Sequence, residues 1–388
     1  MRLSHQAARL STKAARLPFP AALLAGCTAA LLLQPAPAAT AVPLAPGGEH
    51  RDFPGGGRTV SLRLPAGHGL PPSTTGPFEL LGIGWDGPAG ALDGGSLRVR
   101  TRDAATGRWS DWHTLETDTD DGPDRAPHGA TAPLWTGRSD GVAVEFRPGP
   151  AGPPPGLRLD LVDPGAGAPA PAATRTVPAA PAAEDGHQAP RPAIVTRAGW
   201  GADESLRDPG SEYTGPVREV FVHHTATATD YACSDAPRVI RGIYQYHVKT
   251  SGWRDIGYNF LVDRCGTVYE GRAGGVDRPV HGAHTLGFNT DSSGVAAIGT
   301  YVDATPPQPL LDGLAAIAAW KLGLTGRPAD GRTGLTSSSD ASRYPKGTVV
   351  DFDAVSGHRD AFNTECPGKA LYARLPELRT AAARLQTP

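Results

Sequence analysis

The sequence carries no excess of either charge: 37 Lys and Arg against 39 Asp and Glu leave a formal net charge of −2. That removes the electrostatic footprint of a nucleic-acid binder. No internal repeat is evident. Methionine is missing beyond the initiator, a deficit that goes with abundant Ala, Pro, Gly and Arg and reflects a GC-rich genome more than function. Cysteine is scarce, with four in 388 residues. A long unbroken apolar run is also missing. The stretch from Leu17 to Leu33 is interrupted by Pro18, Pro20 and Gly26, which argues against a permanent transmembrane helix.

The N-terminus reads instead as a secretory signal over residues 1–39. Arg2, Arg9, Lys13 and Arg16 precede the apolar stretch without an acid, and Ala36-Pro37-Ala38 supplies a small-residue cleavage pattern. Leu24-Ala25-Gly26-Cys27 resembles a bacterial lipobox, whose use would make Cys27 a lipid anchor. The apolar run continues through Leu31-Leu32-Leu33, which favours free secretion. Either route puts the mature protein outside the cytoplasm.

Glycine (49) and proline (39) cluster rather than spread, and they divide the chain. Residues 40–57 form a flexible segment. Residues 58–163 alternate with period two, as in Val60-Leu62-Leu64, Leu97-Val99, Val142-Val144-Phe146 and Leu157-Leu159-Leu161. Such strands predict an all-β, sandwich-like accessory domain. Its Trp85, Trp109, Trp112 and Trp135 invite a carbohydrate-stacking reading, but core and turn packing is the preferred one. Residues 164–191 are a Pro/Ala-rich linker, expected to be extended and semi-stiff.

From residue 192 to 388 the pattern turns α/β. Glu219–His224 predicts a buried strand. Asp235 and Pro237 open a helix whose apolar face is Ile240, Ile243, Tyr244, His247 and Val248. A hairpin is expected around Asp263–Gly266, a strand over Gly294–Tyr301 and a helix over Leu310–Leu322. The tail 369–385 is expected to be helical, broken at Pro376, and residues 325–350 to be a surface insertion. The expected fold is a mixed sheet flanked by helices.

Three residues of this second part suggest a metal. His223 ends the apolar run Val220-Phe221-Val222, and His358 and Cys366 follow in Gly357-His358-Arg359-Asp360 and Cys366-Pro367-Gly368. Imidazole and thiolate suit tetrahedral Zn²⁺, and three protein ligands leave a fourth position open, as catalytic sites do. Outside the cell two of Cys233, Cys265 and Cys366 should pair. Cys233 and Cys265 are the plausible disulfide, and a metal would explain why Cys366 stays a thiol.

Taken together, the motifs are specific. His223-His224-Thr225, Trp253 through Phe260, Tyr269-Glu270-Gly271-Arg272, Gly282-Ala283-His284-Thr285, the His358 and Cys366 segments and the opening Arg197-Ala198-Gly199-Trp200-Gly201 occur in order. In these the chain resembles the peptidoglycan recognition protein and type 2 N-acetylmuramoyl-L-alanine amidase family over residues 193–385. The resemblance implies a zinc amidase domain with His223, His358 and Cys366 as ligands. It implies Tyr258 as the tyrosine whose hydroxyl lies near the attacking water. The position two before the cysteine, a lysine in some phage relatives, is Thr364 here, and it would be the second polar helper. His284 and Arg272 are the expected substrate-binding residues, Arg272 toward a stem-peptide carboxylate. Bracing a loop is an equal alternative for His284, and His224 is expected to support the site rather than bind metal. The implied partner is peptidoglycan, met by a secreted, wall-associated monomer. Ala273-Gly274-Gly275 lacks the aromatic that helps animal relatives tell stem peptides apart. Three rivals remain: a non-catalytic binder of the same family, a Cys366–His358 thiol hydrolase, and a purely structural zinc.

Overall fold

The computed structural model describes residues 42–43, 48–53, 56–65, 69–87, 92, 94–116, 128–167, 175–181 and 186–386. The signal and lipobox readings lie outside the described residues. Among those described, no helix is long and apolar enough to cross a membrane.

Among the described residues the first sheet has nine strands: β1 (Val42–Pro43), β2 (Glu49–Asp52), β3 (Arg58–Arg63), β4 (Leu70–Asp86), β5 (Ser96–Asp103), β6 (His113–Thr114), β7 (His128–Ala130), β8 (Leu134–Arg147) and β9 (Arg158–Asp163). Its order is β2-β3-β9-β4-β8-β5-β6, with β1 and β7 also on β4. The expected sandwich is therefore one continuous hydrogen-bonded sheet. The long β4 pairs with β8 through register shifts at Leu70/Ser73, Thr74/Phe78 and Phe78/Leu80, and then with β9 and β7. Such bulges bend a strand, so one strand serves both layers. One face encloses Phe78, Leu81, Ile83, Trp85, Leu97, Val99, Val144, Leu159 and Leu161. Trp85 and Trp135 are buried, while the half-buried Trp109 and Trp112 are stacked against Arg100, 5.1 and 4.9 Å from the ring centres. Guanidinium groups thus stack on those rings.

The second sheet is ordered β10 (Thr176–Val177), β11 (Ile194–Val195), β14 (Val268–Glu270), β13 (Phe260–Val262), β15 (Ser292–Ala297), β12 (Glu219–His224) and β18 (Val355–Gly357). Part of the expected linker is thus an edge strand, β10, antiparallel to β11. Every residue of β12 and β15 is buried, as in a parallel sheet covered on both faces. On one face lie α3 (Gln308–Gly323) and α6 (Leu375–Leu385), whose Leu314, Ile317, Ala318 and Leu378 meet Val220, Val222 and Val295. On the other lies α2 (Ala236–Lys249), with Ile240 and Ile243 near Leu261 and Ala296. Three four-residue helices complete the set: α1 (Arg197–Trp200), α4 (His358–Ala361) and α5 (Lys369–Tyr372). The helical tail breaks between α5 and α6, and Pro376 sits in the first turn of α6. Cys233 and Cys265 are disulfide-bonded.

Two features depart from the sequence reading. The outward face of the first sheet is dry where Leu80, Ala130, Trp135 and Val162 pack with Ile240, Ile243 and Tyr246 of α2. Tyr246 lies on Gly82, where a Cβ would come within 2.2 Å of the phenol oxygen. Its hydroxyl donates to Thr131 O at 3.0 Å. The second departure is residues 325–350. They include β16 (Arg332–Thr336), which pairs antiparallel with β17 (Val349–Asp353). Leu335 and Phe352 pack on Phe221 and Ala361, so this hairpin supports the strand that carries His223.

The first residue of β12, Glu219, is fully buried. Burial, with the Asp360 and Asp353 carboxylates nearby, pushes its carboxyl well above the usual carboxylate range. The folded state then holds a proton that the unfolded chain releases near pH 4.5. The group's stabilising contribution is complete below that pH and lost as pH rises through the folded pKa. Glu219→Gln is therefore expected to stabilise the fold at pH 7–8 by about 1–3 kcal/mol, an advantage that disappears by about pH 4. Thermal melts of both proteins across that range check this. A pH-independent difference would contradict it.

Candidate metal centre

Parallel pairing assembles the centre. β12 and β18 run side by side in register, Val220 with Val355, Phe221 with Ser356 and Val222 with Gly357. The next residue along each chain is His223 on one strand and His358 on the other, so two imidazoles emerge together at the carboxyl ends of neighbouring strands. Such ends are where open α/β sheets bind ligands. The two rings are 4.6 Å apart between centroids.

Cys366 reaches the same point from the loop after α4. That loop is held by Arg359 N–H on Cys366 O at 3.0 Å and by Cys366 N–H on Thr364 Oγ1 at 3.0 Å. The sulfur lies 3.7 Å from His223 Nδ1 and accepts the His224 N–H at 3.3 Å. One donor atom from each of His223, His358 and Cys366 falls within 4.8 Å of the others, and all three side chains are buried. Tetrahedral zinc with ordinary bond lengths separates a sulfur and a nitrogen ligand by about 3.6 Å. Burial, with His358, His284 and His224 as neighbours, holds His223 well below the usual imidazole range. It is neutral at pH 7, as a ligand must be. The donor set fits zinc.

His223 is oriented from behind. Its Nε2 lies 3.3 Å from His284 Nδ1 and 3.4 Å from Thr285 Oγ1, which leaves Nδ1 for the centre. Outer partners of this kind fix a ligand ring. His284 itself is fully buried and fits only because residue 294 is glycine, where a Cβ would stand 2.3 Å from the ring. His284 is fully buried with its Nδ1 against His223 Nε2, an arrangement that braces the ring. Arg272 is also nearly enclosed. It is 9% exposed and donates to Ile256 O at 3.0 Å and His281 O at 3.2 Å, which ties the Tyr258 loop to the 281–284 segment.

Tyr258 is half-buried, its ring 5.5 Å from that of His223. Several groups hold its loop. Gly257 N–H donates to His247 Nδ1 at 3.2 Å, and Arg197 pairs with Asp255 at 3.1 Å and donates to Gly271 O. Burial, with Arg272 nearby, pushes His247 down to about 3, so it accepts as a neutral ring. Thr364 is also half-buried, and its oxygen caps the turn into Cys366. Sequence reasoning missed Thr285, although it stands in a quoted motif. It also missed Phe352, which packs on Phe221 and for which no local pattern signals a role.

Comparison with known proteins agrees with this architecture. Residues 213–369 match the N-acetylmuramoyl-L-alanine amidase family, and residues 33–184 match the family described as Rv3811 N-terminal galactose-binding domain-like. The chain is 33% identical to a Trichoplusia ni peptidoglycan recognition protein over 183 residues, 46% of this chain and 83% of the relative. It is 35% identical to a human N-acetylmuramoyl-L-alanine amidase over 186 residues, 47% of this chain. It spans only 27% of that relative's length, and 32% of Drosophila melanogaster peptidoglycan-recognition protein LE. The solved structure of Drosophila PGRP-LB is 28% identical, with 47% of this chain and 91% of that one covered and a TM-score of 0.37. The chain belongs to the peptidoglycan recognition protein and N-acetylmuramoyl-L-alanine amidase family.

Proposed function

We propose that the protein is a zinc-dependent amidase that cleaves the bond between N-acetylmuramic acid and L-alanine in peptidoglycan. The observation that carries this is the complete trio of His223, His358 and Cys366 with Tyr258 beside it. When bound, zinc supplies Lewis-acid polarisation of an amide carbonyl and acidifies water toward neutral pH. The chain's own residues do the rest. His284 and Thr285 hold the His223 ring, and Thr364 holds the turn that presents Cys366. Tyr258 offers a hydroxyl donor where negative charge develops on the carbonyl oxygen. A disulfide between Cys233 and Cys265 supports a site of action outside the cytoplasm, at the wall.

Mass spectrometry of digested muropeptides is the test. Purified protein is expected to release stem peptides with a free L-Ala amino terminus. A chelator should abolish this and added zinc restore it, while a thiol-alkylating agent should act only on the metal-free protein. Activity that survives chelation but not alkylation would favour a Cys366 thiol hydrolase. Binding without any release would favour a non-catalytic recognition protein.

A further inference from the structure

His224 lies next to the trio and faces elsewhere. It is 3% exposed, and its Nδ1 accepts the N–H of Tyr301 at 3.2 Å. A neutral ring that accepts at Nδ1 carries its proton at Nε2. That buried N–H has no hydrogen-bond partner, and it faces Glu116 Oε2 at 3.6 Å. The separation exceeds a hydrogen bond, so the carboxylate, 28% exposed, acts on the buried N–H as a charge on a dipole at the edge of the interior. On its backbone side, His224 donates its N–H to Cys366 Sγ at 3.3 Å. One residue thus joins a carboxylate to a sulfur of the metal-ligand set.

Glu116 belongs to the first sheet's half of the molecule. Its carbonyl accepts Ala132 N–H at 2.9 Å, and the preceding Leu115 is buried in that core and donates to Leu97 O at 2.9 Å. The neighbouring Thr131 accepts the Tyr246 hydroxyl of α2. Arg238 of α2 pairs with Glu79, and Arg158 donates to Thr250 O at 3.2 Å. The segment that offers Glu116 is therefore clamped to the amidase half.

Resting on the metal-centre reading above, we infer that Glu116 is a positioning residue of that centre. It holds the His224 ring, and through the His224 backbone it fixes the N–H donor on Cys366 Sγ, so the β half completes the site rather than merely carrying it. The test uses the full chain loaded with Co²⁺, whose thiolate charge-transfer band reports on the sulfur, and zinc affinity from chelator competition. Glu116→Ala is expected to shift the band, weaken zinc about tenfold and lower kcat with KM unchanged, at the lower end of outer-partner effects. Glu116→Asp, which keeps the charge on a shorter stem, should recover part of this, whereas Glu116→Gln, which keeps only the shape, should not. Arg238→Met, which loosens the same interface elsewhere, should lower the melting temperature and leave the band in place. The inference is overturned if Glu116→Ala keeps the wild-type band and affinity, or if Arg238→Met reproduces its shift. A wild-type chain that takes up Co²⁺ without any thiolate band would instead overturn the metal-centre reading, and this one with it.

Discussion

Cys366→Ser is expected to lose zinc and to lower muropeptide cleavage by about 10³-fold or more, the several kcal/mol that a bound ion contributes. The thiol is 6% exposed, beside two imidazoles and under the His224 N–H. A thiol in such a place ionises readily once a cation is near, whereas a serine hydroxyl does not at neutral pH. The replacement is slightly smaller and still accepts the His224 N–H, so the fold should survive. Zinc content by elemental analysis, with a melt of the apo-proteins, separates the two effects. Full activity in this variant would sink the amidase proposal. Equal loss of apo-stability and activity would assign Cys366 to packing.

The centre was legible because its chemistry is carried by residue types that do little else. A thiol left over after disulfide pairing, with histidines at a strand end and after a Gly, marks a site without any knowledge of distance. Residues whose role depends on depth were not legible. Arg272 and His284 have the side chains of substrate binders, and only burial shows that one is held by two carbonyls and the other by His223. The β half shows the same limit. Alternation was read in β3, β5, β8 and β9, and burial follows it in β5, but β9 is buried from Leu159 to Val162 and β4 from Phe78 to Trp85. That run, with Gly82 and Gly84 between apolar residues, is the pattern of a strand covered on both sides. It is the trace in the sequence of α2 lying across the sheet. α2 carries the complementary trace: only one face was read as apolar, while Gly242, Gln245 and Tyr246 on other faces are also buried.

Tyr258→Phe is the second large effect, about a 10²-fold fall in kcat with KM and zinc content unchanged. The ring packs between His223, 5.5 Å away, and His247, 5.7 Å away, and phenylalanine keeps both contacts. Only the hydroxyl is lost, and its contribution is confined to the transition state if it donates to the developing oxyanion. A donor that bound the ground-state carbonyl equally well would raise KM and leave kcat in place. The comparison with His247→Phe sharpens this. The His247 side chain holds the loop through Gly257 N–H and ring packing, so its loss should let Tyr258 drift and alter kcat and KM together. If Tyr258→Phe turns over at the wild-type rate while Cys366→Ser is dead, the oxyanion must be met by another donor. Thr364, at the turn into Cys366, is then the next hydroxyl to remove.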